Sequence, residues 1–344
     1  MKKKNVTIKD IAEQARTSVA TVSRVLSEKP GVVEKKRELI QRLVSEMGYE
    51  PNRNAQNLAG CRTNLLGFIT SDLKNPWKVD LMRRMEQFCR ERGKQILVAN
   101  SAMRLDLEQE NIKIMQQNRV EGLIIFPVSE WKEQEGDDHL LTLKARRYPF
   151  ILMGRLEDEG FDIVCNDDID AGRCLARRLI EWGHRRILLC GRAIHMRRSN
   201  RNKRLGVEMA LREAGLSPEE SLMTLNMAEE NWTEELLRLQ RQAERPTACI
   251  VVNSERALEI YHALLQAKIR IPEDCSLGCF DDNLWCKHLV PPLTLMTADD
   301  EQLAQAAFDA LSERMDHPEK PRIRRLLPMR YVERESCGPA PAAR

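Results

Sequence analysis

The residues with the clearest chemistry lie in segment 18–26. Helical spacing turns its larger apolar side chains inward and leaves Val19, Ala20 and Arg24 facing outward. A guanidinium can donate two hydrogen bonds to guanine, a contact worth ~1–3 kcal/mol of discrimination, whereas Val19 and Ala20 offer apolar contacts, for instance to thymine methyl groups. This pattern is typical of a helix that reads base pairs in the major groove of DNA.

Four hydroxyl residues on or near this segment can donate hydrogen bonds to DNA phosphates. The same hydroxyls can cap helices, since Thr7 stands three residues before Asp10 and Ser18 directly precedes the second helix. The two roles are compatible. We predict phosphate contacts by Thr7, Ser18, Thr21 and Ser23.

Three short helices must position these side chains. The apolar spacing predicts a first helix over 8–15, a tight turn at 16–17, and a third helix from about Val33 to Met47. Residues 1–62 hold thirteen Lys and Arg against seven Asp and Glu, a net +6, while the rest of the chain is −3. A compact basic module on a mildly acidic body is typical of a DNA-binding headpiece.

From Leu65 onward, apolar strands alternate with amphipathic helices. This alternation predicts parallel, doubly wound sheets, and roughly 280 residues exceed one sheet, so we expect two α/β lobes. The predicted strands are 65–70, 95–99, 122–126, 150–153, 163–165, 186–190, 248–252 and 276–280. The predicted helices are 79–91, 105–117, 169–182, 202–214, 233–242, 255–267 and 301–315.

The sequence argues against several other classes of protein. The ten cysteines include no CxxC pair, no signal-peptide core follows residues 1–4, and no run reaches the roughly 18 apolar residues of a membrane span. We therefore expect free thiols, a cytoplasmic location and no membrane association. Because no nucleophile elbow, P-loop, GxGxxG or metal-ligand spacing occurs, we expect no enzyme, no catalytic residues, no cofactor and no metal.

Three ordered motifs then identify a family. VTIKDIA (6–12), SVATVSRVL (18–26) and GYEPNRNAQNLAG (48–60) resemble the headpiece and hinge of the lactose-repressor (LacI/GalR) family of bacterial transcriptional regulators. The chain departs from the family at Arg16, which stands in the turn where Gly or Asn is usual. We expect the turn either to adopt a strained backbone at this residue or to shift slightly.

The resemblance implies an all-α helix-turn-helix headpiece at 1–51 and a hinge helix or linker at 52–62. It also implies DNA contacts by Asn52 and Arg53, and insertion of Leu58 between base steps in the minor groove. An ordinary linker leucine is the alternative interpretation of Leu58. In the family, two such hinge helices pack together in a dimer, which implies a palindromic operator.

The resemblance continues at lower density to about Arg334. NPW (75–77), LIEWGHRRI (179–187) and IPEDCS (271–276), the last followed by FDD, resemble the periplasmic-binding-protein-like core of the family. This implies an effector-binding and dimerisation core over 63–335. We assign about 63–164 and 294–325 to its N-lobe, about 165–292 and 326–335 to its C-lobe, and 336–344 to a tail, disordered from Gly338 on.

Ligands of such cores bind in the cleft between the lobes, beyond the carboxyl ends of the strands. By resemblance, Trp77 stacks on a sugar face, although a core aromatic is an equal alternative. Asp281 and Asn253 contact effector hydroxyls, with capping as the alternative, and Ser199 lies one turn before Lys203. The predicted effector residues are Trp77, Ser199, Lys203, Asn253 and Asp281.

Lys203 occupies the position of a family arginine, and it is a point charge without the bidentate fork. Four arginines nearby admit an anionic effector, so we expect a sugar, a sugar acid or a sugar phosphate. These arginines are Arg192, Arg197, Arg198 and Arg201.

The resulting hypothesis is a nucleoid-associated repressor of carbohydrate or sugar-acid genes that is allosterically controlled by its effector. The absence of leucine heptads after Arg334 favours a homodimer over a tetramer. Whether the effector induces or corepresses stays open. The alternatives are a transporter's solute-binding protein, which needs a signal peptide and no headpiece, and a sugar-modifying enzyme.

Overall fold

A computed structural model of the chain describes residues 6–26, 30–49, 63–128, 138–154, 160–192, 194 and 198–342. The chain divides into two compact units, Met1–Asn64 and Leu65–Arg344. In the described part, no helix is long and apolar enough to cross a membrane. Within those same ranges, no group of three His, Cys, Asp or Glu side chains could hold a metal ion.

The first unit contains the three helices that the apolar spacing predicts. They are α1 (Ile8–Gln14), α2 (Val19–Leu26) and α3 (Glu34–Glu46). Their inward faces meet in one small core. The buried members are Ile11, Ala12, Ala15, Val22, Val25 and Ile40.

Side-chain caps begin the first two helices, as predicted. The backbone N–H and the hydroxyl of Thr7 both donate to Asp10 Oδ2, each at 2.7 Å. Ser18 Oγ accepts from the backbone N–H of Thr21 at 3.1 Å. These bonds satisfy donors that the first turn of a helix leaves open, and they fix the residue at which α2 begins.

The turn between α1 and α2 has the strained backbone expected at Arg16. Its φ is +46°, in the left-handed region that costs a residue with a Cβ about 1–2 kcal/mol. The ammonium of Lys36, on α3, donates to the carbonyl oxygen of Ala15 at 2.6 Å and approaches that of Arg16 at 3.4 Å. This cation therefore stabilises the carboxyl end of α1 and the turn after it.

The second unit is built from two sheets of parallel strands flanked by helices. Its strands are β1 (Leu65–Thr70), β2 (Gln95–Asn100), β3 (Gly122–Ile125), β4 (Phe150–Met153), β5 (Ile163–Asn166), β6 (Ile187–Gly191), β7 (Leu222–Asn226), β8 (Ala248–Val251), β9 (Ser276–Phe280), β10 (Thr294–Thr297), β11 (Arg324–Leu327) and β12 (Arg330–Val332). Its helices are α4 (Pro76–Glu91), α5 (Leu105–Gln117), α6 (Asp138–Ala145), α7 (Asp168–Glu181), α8 (Arg198–Glu213), α9 (Pro218–Ser221), α10 (Trp232–Gln240), α11 (Ser254–Gln266) and α12 (Asp300–Asp316). A short 3-10 helix spans Leu284–Lys287.

The first sheet, which defines the N-lobe, has the order β11-β5-β4-β3-β1-β2. The second, which defines the C-lobe, has the order β12-β10-β9-β8-β6-β7, in which β12 is the antiparallel strand. Each sheet carries a buried apolar cluster on both faces. This confirms the predicted fold of two doubly wound α/β lobes.

The lobe boundaries differ from those predicted. β10 pairs with β9 and so belongs to the C-lobe, although it starts the segment that we assigned to the N-lobe. β11 pairs with β5 and completes the N-lobe sheet to Leu327, and β5 itself continues to Asn166. The points at which the chain passes from one lobe to the other depend on pairing between strands that are distant in the chain. The apolar spacing of a single segment does not reveal that pairing.

The expected disordered tail is wrong for the described residues up to 342. Ser336 is fully buried, and its hydroxyl donates to the carbonyl oxygen of Leu277 at 2.6 Å. The carbonyl oxygen of Gly338 accepts from the buried ring of His184 at 3.0 Å. These polar contacts anchor a segment whose small residues gave no apolar signal.

Candidate nucleic-acid interface and ligand cleft

The three side chains predicted to read DNA stand on the exposed face of α2. Val19 is 40% exposed, and Ala20 and Arg24 are exposed beside it. Val22 and Val25 are buried in the core of the first unit. The predicted outward face is thereby confirmed, and its contact with base pairs stays a prediction.

The hydroxyl candidates frame the same face. Thr7 and Ser18 are exposed, while Thr21 and Ser23 are half-buried. The remaining predicted DNA contacts lie outside the described residues. These are Asn52, Arg53 and Leu58, within the predicted hinge 52–62.

A cleft lies in the second unit where strands of both sheets end. It encloses about 790 Å³, including the part open to solvent. β4 and β5 of one sheet and β8 and β9 of the other deliver residues to it at their carboxyl ends. The structure brings all five predicted effector residues into its lining, namely Trp77, Ser199, Lys203, Asn253 and Asp281.

Lys203 is held by the wall of the cleft. Its ammonium donates to the carbonyl oxygen of Val252 at 3.1 Å and lies 3.7 Å from Asp168 Oδ1. The same nitrogen stands 4.6 Å from the ring centroid of Phe280. With a side chain only 8% exposed, this lysine compensates buried negative charge while lining the cleft.

Burial disfavours the charged form of two carboxyl groups in the cleft. Burial raises the pKa of Asp281 to about 6, against the opposing charge of Lys203 and with a further raising effect from Asp168. Burial also raises the pKa of Asp168. The positive charge of Lys203 and a hydrogen bond from Ser199 act in the opposite direction and lower it. Asp281 has a φ of +69°, and the N-cap of the 3-10 helix that follows is Asn283, so Asp281 does not cap that helix.

Trp77 and Asn253 both line the cleft, and both also make the structural contacts that the sequence offered as alternatives to effector binding. The indole N–H of Trp77 donates to Asp300 Oδ1 at 2.8 Å, and its ring packs edge-on against Phe126 with centroids 6.0 Å apart. Asn253 Oδ1 accepts from the backbone N–H of Arg256 at 2.9 Å and caps α11. Both side chains are fixed by these bonds while lining the cleft.

The cleft also contains polar residues that we did not predict. Asn166 Oδ1 is buried and has no hydrogen-bond partner in the described part of the chain, so it can accept from a ligand. Lys78 donates to Ser71 Oγ and lies 4.9 Å from the ring centroid of Phe126. Ser71 and Asn166 stand at the carboxyl ends of β1 and β5, and that position was the available signal.

The three described arginines of the predicted cluster do not line the cleft. Its described charged lining residues are Lys78, Lys203, Asp168 and Asp281, which balance. Arg192 is exposed and donates to the carbonyl oxygen of Met227 at 3.3 Å. Arg198 and Arg201 are absent from the described lining, and Arg197 lies outside the described residues.

Two family models match the chain. The model described as bacterial regulatory proteins, lacI family, matches residues 7–52, and the periplasmic binding protein-like domain matches residues 176–337. The first contains α2 with its exposed face, and the second contains most of the C-lobe wall of the cleft.

The chain belongs to the LacI family.

Curated relatives extend this LacI-family likeness over nearly the whole chain. The HTH-type transcriptional repressor PurR of Haemophilus influenzae (strain PittEE) is 27% identical over 91% of this chain and 92% of its own length. The HTH-type transcriptional regulator DegA of Bacillus subtilis is 28% identical over 97% of this chain and 98% of its own length.

Solved structures show the same LacI-family architecture. The lac repressor dimer bound to operator and the anti-inducer ONPF has a TM-score of 0.83 at 24% identity, covering 97% of this chain and 99% of that one. The transcriptional regulator CelR in complex with cellobiose has a TM-score of 0.68 at 23% identity, covering 96% and 99%. The family models and the curated relatives, rather than these structures, show that the protein is a DNA-binding transcriptional regulator with an effector-binding domain, and not an enzyme.

Proposed function

We propose that this LacI-family protein is a repressor of carbohydrate or sugar-acid genes that binds a palindromic operator as a homodimer. The observation that carries the proposal is the exposed face of α2, where Val19, Ala20 and Arg24 project from a helix fixed by its buried side and its cap. An operator on the chromosome places its action in the cytoplasm, at the nucleoid.

Base reading is divided among these three side chains. Arg24 donates to a guanine edge, while Val19 and Ala20 fit against thymine methyl groups. Thr7, Ser18, Thr21 and Ser23 contact phosphates and set the register of the helix. Asn52, Arg53 and Leu58 act from the hinge, where Leu58 opens a base step in the minor groove.

A homodimer supplies the second headpiece that a palindrome requires. The C-lobe offers apolar surface for such contact. Leu258 and Leu265, seven residues apart on one side of α11, are 39% and 47% exposed, and Val290 is 84% exposed. The hydroxyl of Tyr261, between the two leucines on α11, donates to the carbonyl oxygen of Val290 and holds this loop beside the helix.

The effector is a small polar metabolite bound in the cleft. Of the three expected classes, the balance between two lysines and two aspartates favours a neutral sugar over a sugar acid or a sugar phosphate. Trp77 supplies an apolar face, and Ser199, Lys203, Asn253 and Asp281 supply polar groups. CelR was solved with cellobiose, and a relative from Enterococcus faecium with ribose.

Effector binding controls operator affinity by changing the closure of the lobes. Residues from both sheets line the cleft, so a ligand that contacts both favours one relative position of the lobes. The hinge segment is too short to be a stable helix on its own, so it depends on packing against the hinge of the second protomer. A change in lobe closure strengthens or weakens that packing, and operator affinity changes with it.

Selection of genomic fragments by the purified full-length protein tests this proposal. We expect a palindrome to be enriched, and we expect Arg24→Gln to weaken binding by roughly 30-fold or more, because the dimer loses a guanine contact of ~1–3 kcal/mol in each half-site. The preference should relax at one position in each half-site.

Arg42→Gln is the matched control. Arg42 is an exposed arginine on α3, outside the proposed reading face, and its replacement should leave the selected sequence unchanged. Failure to enrich any palindrome, or an Arg24→Gln variant with unaltered sequence preference, would contradict the proposal.

A further inference from the structure

A second hollow opens at the edge of the N-lobe sheet opposite the cleft. Phe150 begins β4, Asp162 directly precedes β5, and Arg322 comes shortly before β11. These strands are parallel neighbours, so their amino ends share one edge while the cleft takes their carboxyl ends. The hollow encloses about 850 Å³, including the part open to solvent, and it shares no described lining residue with the cleft.

The described lining of this hollow is strongly basic. Its single described carboxylate is Asp162, set against five cationic side chains. The cations are Lys144, Arg147, Arg314, Lys320 and Arg322.

Two of the five cations are already neutralised. Arg314 donates to Asp162 through Nε at 2.5 Å and Nη2 at 3.0 Å, and both side chains are at most 14% exposed. Lys320 donates to Glu313 at 3.1 Å. Within the described ranges, no carboxylate stands at ion-pair distance from the three remaining cations, which are Lys144, Arg147 and Arg322.

Phe161 positions two of these three cations. Its ring lies under the ammonium of Lys144, with the nitrogen 5.5 Å from the centroid, and its carbonyl oxygen accepts from Arg322 Nε at 2.7 Å. A Cβ at Gly160 would lie 2.8 Å from Lys144 Nζ, so glycine leaves room for the ammonium. Phe150 packs against Phe161 with centroids 5.9 Å apart and completes an aromatic floor.

We propose that this hollow is a second ligand site, which binds a phosphate monoester. The guanidinium groups of Arg147 and Arg322 and the ammonium of Lys144 surround the dianion with charge-assisted donors. The organic part of the ester rests on the aromatic floor. Among the described lining residues of the cleft, cations and carboxylates balance, so that lining has no such surplus of positive charge.

Titration of the full-length protein with phenyl phosphate and with inorganic phosphate tests the proposal. Calorimetry is run in buffer free of phosphate and sulfate. We expect saturable binding of phenyl phosphate, tighter than that of inorganic phosphate because the ring contacts the floor. The double variant Lys144→Gln/Arg147→Gln should bind phenyl phosphate at least about tenfold more weakly, since two charge-assisted contacts are removed.

Three further variants make the result specific. Arg147→Gln alone should give an intermediate loss, and it guards against a folding defect in the double variant. Arg146→Gln changes an exposed neighbour that does not line the hollow, and it should bind like the wild type. Lys203→Met removes a cation of the cleft and should also leave phenyl phosphate binding unchanged.

Four outcomes would overturn the proposal. These are no saturable binding by the wild type, wild-type affinity in the double variant, an affinity for inorganic phosphate that equals or exceeds that for phenyl phosphate, and a loss confined to Lys203→Met. The last would assign the ester to the cleft. None of these measurements involves DNA, so they stand or fall separately from the proposed repressor function.

Discussion

At the scale of single residues, burial in the cleft disfavours the charged form of the Asp281 carboxyl group. Asp281 is 9% exposed, and burial raises its pKa to about 6. Its pKa in the unfolded chain is about 3.9, so the native state binds the proton more tightly. The free energy of unfolding therefore falls as the pH rises from about 4 to about 6, and this effect is complete above that range.

Asp281→Asn tests this linkage. Asparagine keeps the shape and tolerates the left-handed backbone at φ +69°. Without a buried charge, the variant should be more stable than the wild type at pH 7.5 by on the order of 1–3 kcal/mol, and the gain should vanish near pH 4. Urea unfolding of the core at several pH values measures it.

The neighbouring Asp282 provides a control of opposite sign. Its carboxylate accepts from Arg334 Nη1 at 3.1 Å, so Asp282→Asn should lower stability at neutral pH. Equal effects of the two substitutions, or a destabilised Asp281→Asn variant at pH 7.5, would show that burial of charge does not dominate at position 281.

At the scale of elements, a glycine contact sets the geometry of the C-lobe wall. A Cβ at Gly206, on α8, would lie 2.0 Å from the carbonyl oxygen of Ile169 on α7, and one at Gly172 would lie 2.1 Å from that of Lys203. The two helices thus cross at backbone contact. Because the helices approach so closely, Lys203 on α8 lies near Asp168 on α7, and both side chains reach the cleft.

Gly206→Ala should force the helices apart. We expect a loss of about 2 kcal/mol or more in the free energy of unfolding, because an added methyl group has no space and the obstacle is backbone. Gly215→Ala is the control. Gly215 has a φ of +73° and nothing within 4 Å of an added Cβ, so it should lose only the roughly 1 kcal/mol of backbone strain. Equal losses in urea unfolding would argue against the close crossing.

The edge strands show why some elements escaped prediction. β11 and β12 are partly exposed, and basic residues occupy Arg324, Arg325 and Arg330 within them. β7 is also an edge strand with polar positions. Strands at a sheet edge need no continuous apolar run, whereas β3 and β4 are buried throughout and were predicted.

At the scale of the whole molecule, positive charge is segregated. Residues 1–62 carry +6 and the remainder −3. Because neutralising six or more phosphates releases counterions, operator affinity should fall by about a thousandfold or more between 50 and 200 mM salt. Fluorescence anisotropy with the selected operator measures this fall.

The salt dependence of operator binding can be compared with that of neutral-effector binding by the same protein. The described charges of the cleft balance, so its affinity should change little, by less than about threefold over the same salt range. A flat salt dependence for the operator would contradict phosphate contact by the basic headpiece.

The sequence by itself determined the helices of the first unit, the outward face of α2 and the alternation of strands and helices. These features follow from local periodicity and caps, which are properties of neighbouring residues. It also selected five residues that meet in one cleft, because their places in the chain matched the motifs of a family.

Only the tertiary structure decided which sheet each late strand joins, that 336–338 is buried, and that Lys203 is held by Val252 and Asp168. It also showed that, among the described residues, positive charge is in excess around the hollow at the opposite sheet edge and is balanced in the cleft. Each of these depends on pairing or burial between segments far apart in the chain, and no periodicity of a single segment contains that information.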